Sequence, residues 1–282
     1  MQVSVRIPRW VYVVLAGVWV ASVVGAQEDG LPDSGQARYD ALQERAIAAR
    51  DSGDLQSALG YYDQMQEMAP DSAEIAYNRG VILLDLQQYE QAAGVFTQAA
   101  DLGMDTAALH YNHGNALYEQ RQYQMAREQY AAAREIAPDD AEILNNLGLT
   151  LAQLGETDAA RQRFEEAGAA DPEWAVPFFH LGNLFSDQEA FADAEAAYSE
   201  ALVRNPQFDR AQFNRGTVRY QRGEFQGAFE DFLAVYQARP EDTDALYNLG
   251  AAAIAAAEDA QSAQPTDNAT TGEQNNAQTQ GE

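Results

Sequence analysis

The sequence predicts an all-α fold: a right-handed superhelical α-solenoid of six helix–turn–helix units, closed at its C-terminal end by one further capping helix. Three observations predict it. A glycine returns every 34 residues, at Gly80, Gly114, Gly148, Gly182, Gly216 and Gly250. On the same beat run Ala58, Ala92, Ala126, Ala160, Ala194 and Ala228, and the aromatics Tyr62, Phe96, Tyr130, Phe164, Tyr198 and Phe232. Proline follows at Pro70, Pro138, Pro172, Pro206 and Pro240, with Met104 standing at the one missed position. A fixed period of this length marks a stack of supersecondary units, none of which can bury its apolar face alone.

Taken in order, residues 1–26 come first. Arg6 and Arg9 precede an uncharged stretch from Trp10 to Val24, and Val24-Gly25-Ala26 follows as a cleavage motif. Fifteen such residues suit a signal peptide and fall short of the ~20 that a membrane span needs. The expectation is export, with the mature chain periplasmic or secreted and starting at Gln27. The alternative is an uncleaved inner-membrane anchor, which also leaves the repeats outside the cytoplasm. Residues 27–38 read as a linker. The six units span 39–258, with starts at Tyr39, Ala73, Ala107, Ala141, Ala175 and Asp209, and the capping helix covers 243–258. Residues 259–282 are amide-rich without large apolar residues, and are expected to be a disordered polar tail.

The unit Ala107–Asp140 displays the pattern in full. Leu109, Tyr111, Gly114, Leu117 and Tyr118 lie on one face of a first helix, and Tyr123, Ala126, Tyr130 and Ala133 on one face of a second. Gln120-Arg121-Gln122 forms the turn between them, a place where other units put Gly53, Gly155 and Gly223. Pro138 stops the second helix, because it lacks an amide and disfavours helical geometry in the residue before it. Gly114 and Ala126 are expected to let the two backbones cross closely, while Tyr130 and Ala133 pack against the next unit. Gly114, Tyr123, Ala126, Tyr130, Ala133 and Pro138 together resemble the tetratricopeptide repeat consensus, and the resemblance runs from Tyr39 to about Glu258. Several positions depart from it. Ala46 replaces the first glycine, and Arg79, His113 and Arg215 stand where leucine is usual. Arg219 stands where a large apolar residue is expected, which predicts looser packing in the sixth unit.

Composition narrows the partners. The chain carries 44 acidic residues against 17 basic ones, and every base is arginine. Between residues 39 and 258 the count is 37 acids to 14 arginines, a charge of about −23. Such a surface repels nucleic acid and anionic lipid. Contact with a membrane is expected only if the N-terminal segment stays uncleaved. The acids are spread over every unit, which reads as a solubility device more than a binding patch. Cysteine is absent, so neither a disulfide nor an N-terminal lipid attachment is available.

Nothing in the sequence carries catalytic chemistry, and the expectation is no enzyme, no cofactor and no metal. His110 and His113 share a ligand-like spacing, but no third donor accompanies them. Phosphate-loop, nucleophile-elbow and zinc-protease motifs are missing. The remaining candidate is the surface lined by the first helix of each unit, which the resemblance implies is concave. Its central position reads Glu44, Asn78, Asn112, Asn146, His180, Asn214 and Asn248. The preceding position reads Gln43, Tyr77, Tyr111, Asn145, Phe179, Phe213 and Tyr247, and Asn115 and Asn183 add further amides. An amide offers both donor and acceptor, so a ladder of them matches the two halves of a peptide bond, with aromatics packing the side chains between. Tyr77, Asn78, Tyr111, Asn112, Asn115, Asn146, Phe179, His180, Asn183, Phe213, Asn214, Tyr247 and Asn248 are the predicted peptide groove. The family's carboxylate clamp is not implied, because Gln43, Tyr77 and Tyr111 stand at its positions. The expected role is a scaffold in the cell envelope that binds a protein or an extended peptide. Alternatives are an assembly factor of pilus or aerotolerance type, or the non-catalytic arm of a glycosyltransferase system.

Overall fold

The computed structural model describes residue 31 and residues 35–262; the signal-like segment and residues 263–282 lie outside the described residues. Thirteen α-helices and no strand occur among the described residues. They are α1 (Gly35–Asp51), α2 (Leu55–Met68), α3 (Ala73–Asp85), α4 (Tyr89–Asp101), α5 (Ala107–Glu119), α6 (Tyr123–Ile136) and α7 (Ala141–Gln153). Then follow α8 (Thr157–Ala170), α9 (Val176–Asp187), α10 (Phe191–Arg204), α11 (Asp209–Gln221), α12 (Phe225–Ala238) and α13 (Thr243–Ser262). The chain divides into two compact units at Pro172/Glu173, so the first holds α1–α8 and the second α9–α13.

Local chemistry places the helix ends. The amides of Ile75, Leu109 and Ile143 donate to the side chains of Ser72, Thr106 and Asp140, which cap α3, α5 and α7. Helix α9 has no such cap: Ala175 precedes it, and Pro177 sits in its first turn. It therefore begins at Val176, one residue after the expected start. At the other ends α2, α6, α8, α10 and α12 all finish two residues before a proline. Helix α4, which lacks that proline, is closed instead by Gly103 at φ +92°. The turns between paired helices all pass through the left-handed region. Glycine occupies it at Gly53, Gly155 and Gly223, but Gln87, Arg121 and Glu189 are held there at φ near 60°.

Two further boundaries differ from expectation. Helix α1 begins at Gly35, inside the predicted linker, and Leu31 is 2% exposed in a cluster with Leu42, Tyr62 and Ile75. Part of that segment therefore belongs to the first unit's core. Helix α13 continues past residue 258 to Ser262, because nothing in Ala255-Ala256-Ala257-Glu258 disfavours a helix.

The glycine beat has a different partner from the one expected. A Cβ built on Gly114 meets Cδ1 and Cε1 of Tyr130 at 2.8 Å, so the glycine accommodates an aromatic ring of its own helix pair rather than Ala126. The same holds for Gly80 with Phe96, Gly148 with Phe164, Gly182 with Tyr198 and Gly216 with Phe232. Each pair is 16 residues apart in sequence. Every one of these rings is at most 1% exposed, and burying such a side chain contributes roughly 1.5–3 kcal/mol. Ring and glycine thus form one joint, used five times.

The arginines at apolar positions are also partnered. Arg79 Nε donates to Asp63 Oδ1 at 2.7 Å. Arg215 grips Asp231 with two bonds of 2.7 and 3.0 Å, and Arg219 Nη1 adds a third at 2.9 Å. Arg219 also donates to Glu195 at 2.8 Å. Asp231 is 2% exposed. The loose packing predicted for the sixth repeat is thereby corrected: Arg219 is accommodated by two carboxylates that tie α10, α11 and α12 together.

Candidate functional site

The candidate residues sit midway along the first helices α3, α5, α7, α9, α11 and α13. In the first unit Tyr77, Asn78, Tyr111, Asn112, Asn115 and Asn146 are all buried. Their amides are turned on the protein. Asn112 Nδ2 donates to Tyr77 Oη at 2.9 Å, and Asn146 Nδ2 donates to Tyr111 Oη at 3.2 Å and to Asn115 Oδ1 at 3.1 Å. Tyr130 Oη donates to the same Asn115 Oδ1 at 2.6 Å, and Asn145 Nδ2 donates to Asn146 Oδ1 at 3.2 Å. Stacking brings Asn112 and Asn146 each beside the tyrosine 35 residues earlier, and a buried amide must find a partner there. In this unit the amides of Asn112 and Asn146 are spent on these internal contacts. Asn112 Oδ1, Asn115 Nδ2 and Asn145 Oδ1 remain without a partner, but all three are sealed from the surface.

The second unit repeats this motif in a more open form. Tyr198 Oη donates to Asn183 Oδ1 at 2.8 Å, and Asn214 Nδ2 donates to the same oxygen at 2.9 Å. These residues correspond, 68 positions on, to Tyr130, Asn115 and Asn146. Here, however, Asn183 and Asn214 are only partly buried. Asn183 Nδ2 and Asn214 Oδ1, one donor and one acceptor, are left over from the network and neither is sealed. His180 and Phe213 are likewise partly buried and Phe179 is buried. The rings of Phe179 and His180 lie 5.4 Å apart, and the Arg210 guanidinium stands 4.9 Å over the Phe179 ring. Burial, followed by the nearby Arg210 charge, pushes His180 down to about 3, so it is a neutral imidazole at ordinary pH. In α13, Asn248 Nδ2 bonds its own helix at Asp244 C=O, and Tyr247 is exposed. Glu44 in α1 is exposed and makes no rung.

The histidine pair does not resemble a metal site. His110 is held by Gln129 through Nδ1 and by Asp105 through Nε2, each at 2.9 Å. His113 is buried beside Phe96, and burial first, His110 second, pushes it down to about 4. Among the described residues no three acidic or histidine side chains gather around a common point. No described helix is long and apolar enough to cross a membrane.

Tyr130 and Tyr198 belong to this hydrogen-bond network although neither stands at a rung position. A signal for them exists. At the five glycine joints the aromatic is tyrosine only where the first helix carries the extra asparagine, Asn115 with Tyr130 and Asn183 with Tyr198; the first unit, with Ala46 in place of the glycine, has Tyr62 and Ile47. Where the aromatic is Phe96, Phe164 or Phe232, that position is Val81, Leu149 or Thr217.

Comparison with known proteins agrees with this architecture. One tetratricopeptide repeat family model matches residues 44–106 and 179–243, and a second matches residues 105–173. No curated protein matches in sequence. Among solved structures, the chain is similar to YrrB, described as a TPR protein with an unusual peptide-binding site, with 24% identity and a TM-score of 0.55, covering 63% of this chain and 97% of that one. It is similar to MamA from Desulfovibrio magneticus RS-1, with 22% identity and a TM-score of 0.58, covering 61% and 97%. The likeness to pilF of Pseudomonas aeruginosa has 18% identity and a TM-score of 0.63, and covers 76% and 97%. At these identities the structures speak to the fold alone. With the family models spanning more than half of the sequence, and helix pairs repeating every 34 residues, the chain belongs to the tetratricopeptide repeat family.

Proposed function

We propose that the protein is a non-catalytic interaction scaffold that binds an extended segment of a partner protein along its first helices, with Asn183 and Asn214 reading the partner's backbone. The observation that carries this reading is the leftover pair: Asn183 Nδ2 and Asn214 Oδ1. The two side chains are locked to each other by the 2.9 Å bond, so their unused atoms are pre-oriented. One donates and one accepts, as a peptide unit requires. His180, three residues before Asn183, and Phe213, next to Asn214, are both partly buried. Fixing the amides before binding lowers the ordering cost that a free side chain would bring. The description of the YrrB structure as having a peptide-binding site supports the same reading by analogy of fold. The uncharged stretch from Trp10 to Val24 followed by Val24-Gly25-Ala26 supports a place outside the cytoplasm, in the cell envelope.

The test is selection of peptides from a random display library against the full chain, followed by calorimetric titration. Replacing both residues, as Asn183→Ala with Asn214→Ala, removes two hydrogen bonds of ~0.5–1.5 kcal/mol each. A loss of about tenfold in affinity is therefore expected, in a variant whose helical content is unchanged. Affinity that rising salt leaves intact is also expected, since the pair is uncharged. Binding that is indifferent to both substitutions and collapses with salt would instead place recognition on the acidic surface.

A further inference from the structure

Helix α13 repeats the features of a first helix but holds none of the contacts that a first helix makes with its pair. In the five preceding joints, a glycine receives an aromatic ring from the following helix. At four of them an aromatic three residues before the glycine meets that ring, with centroids 6.0 Å apart for Tyr77–Phe96, Tyr111–Tyr130 and Phe179–Tyr198, and 5.4 Å for Phe213–Phe232. Four residues after the glycine, Tyr118 and Tyr220 meet the first residue of the next helix edge-on. In α13 these positions are Tyr247, Gly250 and Ile254. Nothing lies within 4 Å of a Cβ built on Gly250, while Tyr247 is 77% exposed and Ile254 63%. The opposite face, through Ala245 and Ala252, is wholly buried. The helix that closes the array is therefore packed on one side and leaves a complete joint open on the other.

The chain itself states what fits such a joint. Every helix that fills one carries Phe or Tyr with alanine four residues before it. Three residues after it stands alanine, at Ala99, Ala133, Ala167 and Ala201, or valine, at Val235. All five of those helices are seated on their own glycines, so a second copy has none to lend. Residues 263–282 contain no Phe or Tyr, so that segment has no ring to supply. The surroundings of the open face are acidic: Asp244, Glu258 and Asp259 are exposed on α13, which carries no base. We propose that α13 is the open half of a seventh helix pair, and that it docks in trans an amphipathic helix of another protein. That helix carries Phe or Tyr with small residues four before and three after, flanked by basic residues. This contact is distinct from the peptide groove and does not depend on it.

The probe is a synthetic peptide of residues 122–137, which contains Ala126, Tyr130, Ala133 and two arginines. It is held helical by a lactam between Glu128 and the lysine of Gln124→Lys, both at exposed positions of α6. Fluorescence anisotropy with the full chain is expected to show saturable binding. Gly250→Leu in the protein fills the seat without meeting another side chain, and is expected to weaken binding at least tenfold; Tyr130→Ala in the peptide is expected to do the same. Absence of saturable binding, or affinity unchanged by either substitution, overturns the proposal. So does a sedimentation profile in which the chain alone is a dimer that Gly250→Leu dissociates, because a second copy would then cover the face.

Discussion

Replacing the recurring glycine by alanine should have opposite signs at two positions that the sequence alone treats as equivalent. In Gly182→Ala the new Cβ falls 2.5 Å from both Cδ1 and Cε1 of Tyr198. That ring is 1% exposed, and its hydroxyl is tied to Asn183 Oδ1 at 2.8 Å, so it cannot withdraw without breaking a bond. Overpacking of this kind costs about 1–3 kcal/mol. Against it, alanine in a helix interior gains roughly 0.8–1 kcal/mol over glycine. The net expectation for Gly182→Ala is a loss of up to about 2 kcal/mol. At Gly250 the steric cost vanishes, since nothing lies within 4 Å, and only the gain remains. The difference between the two variants isolates the packing cost, because the propensity gain is common to both. Gly80→Ala, also meeting its ring at 2.5 Å, should behave as Gly182→Ala does, and Gly216→Ala, at 3.0 Å, should be the mildest of the buried set. Urea unfolding followed by helical circular dichroism measures all four. If Gly182→Ala proves as stabilising as Gly250→Ala, the ring does not sit on the glycine and the five-fold joint is wrong.

Three further outcomes follow from particular contacts. Arg121→Gly should stabilise the chain by about 1 kcal/mol, since Arg121 is held at φ 60° where glycine carries no steric penalty; an unchanged urea midpoint would show that this turn bears no strain. Asp231→Ala should cost about 3–5 kcal/mol, because it leaves Arg215 without its carboxylate and Arg219 with Glu195 alone, and combining it with Arg215→Leu and Arg219→Leu should restore part of the loss; equal melting temperatures for single and triple variants would refute the network. His113 is pushed down to about 4 by burial, whereas the unfolded chain protonates near 6.5. As pH falls through that window the unfolded state takes up the proton first, so stability declines by ~1.4 kcal/mol per pH unit for this group. The decline should be shallower in His113→Gln, and parallel pH profiles would contradict the assignment.

The period of the sequence determined the helix pairs by itself. Proline and glycine act on the backbone within one or two residues of where they stand, so α2, α6, α8, α10 and α12 end where the prolines dictate. The turns fall where Gly53, Gly155 and Gly223 stand. Equivalence by period also located the first-helix rungs. What those rungs do was decided only by stacking. Asn146 and Asn214 look alike in sequence. The first is 7% exposed and bonded to Tyr111 and Asn115, while the second keeps an unsealed oxygen. Gly182 and Gly250 look alike as well, and one meets a ring while the other meets nothing. Arg219 reads as a packing defect until Asp231 and Glu195 are placed beside it. The physical reason is common to all three. Local geometry depends on a residue and its immediate neighbours, whereas burial and hydrogen-bond partnership depend on which surface comes to lie opposite. For a rung, a seat or a charge, that surface lies some 12 to 35 residues away in the chain.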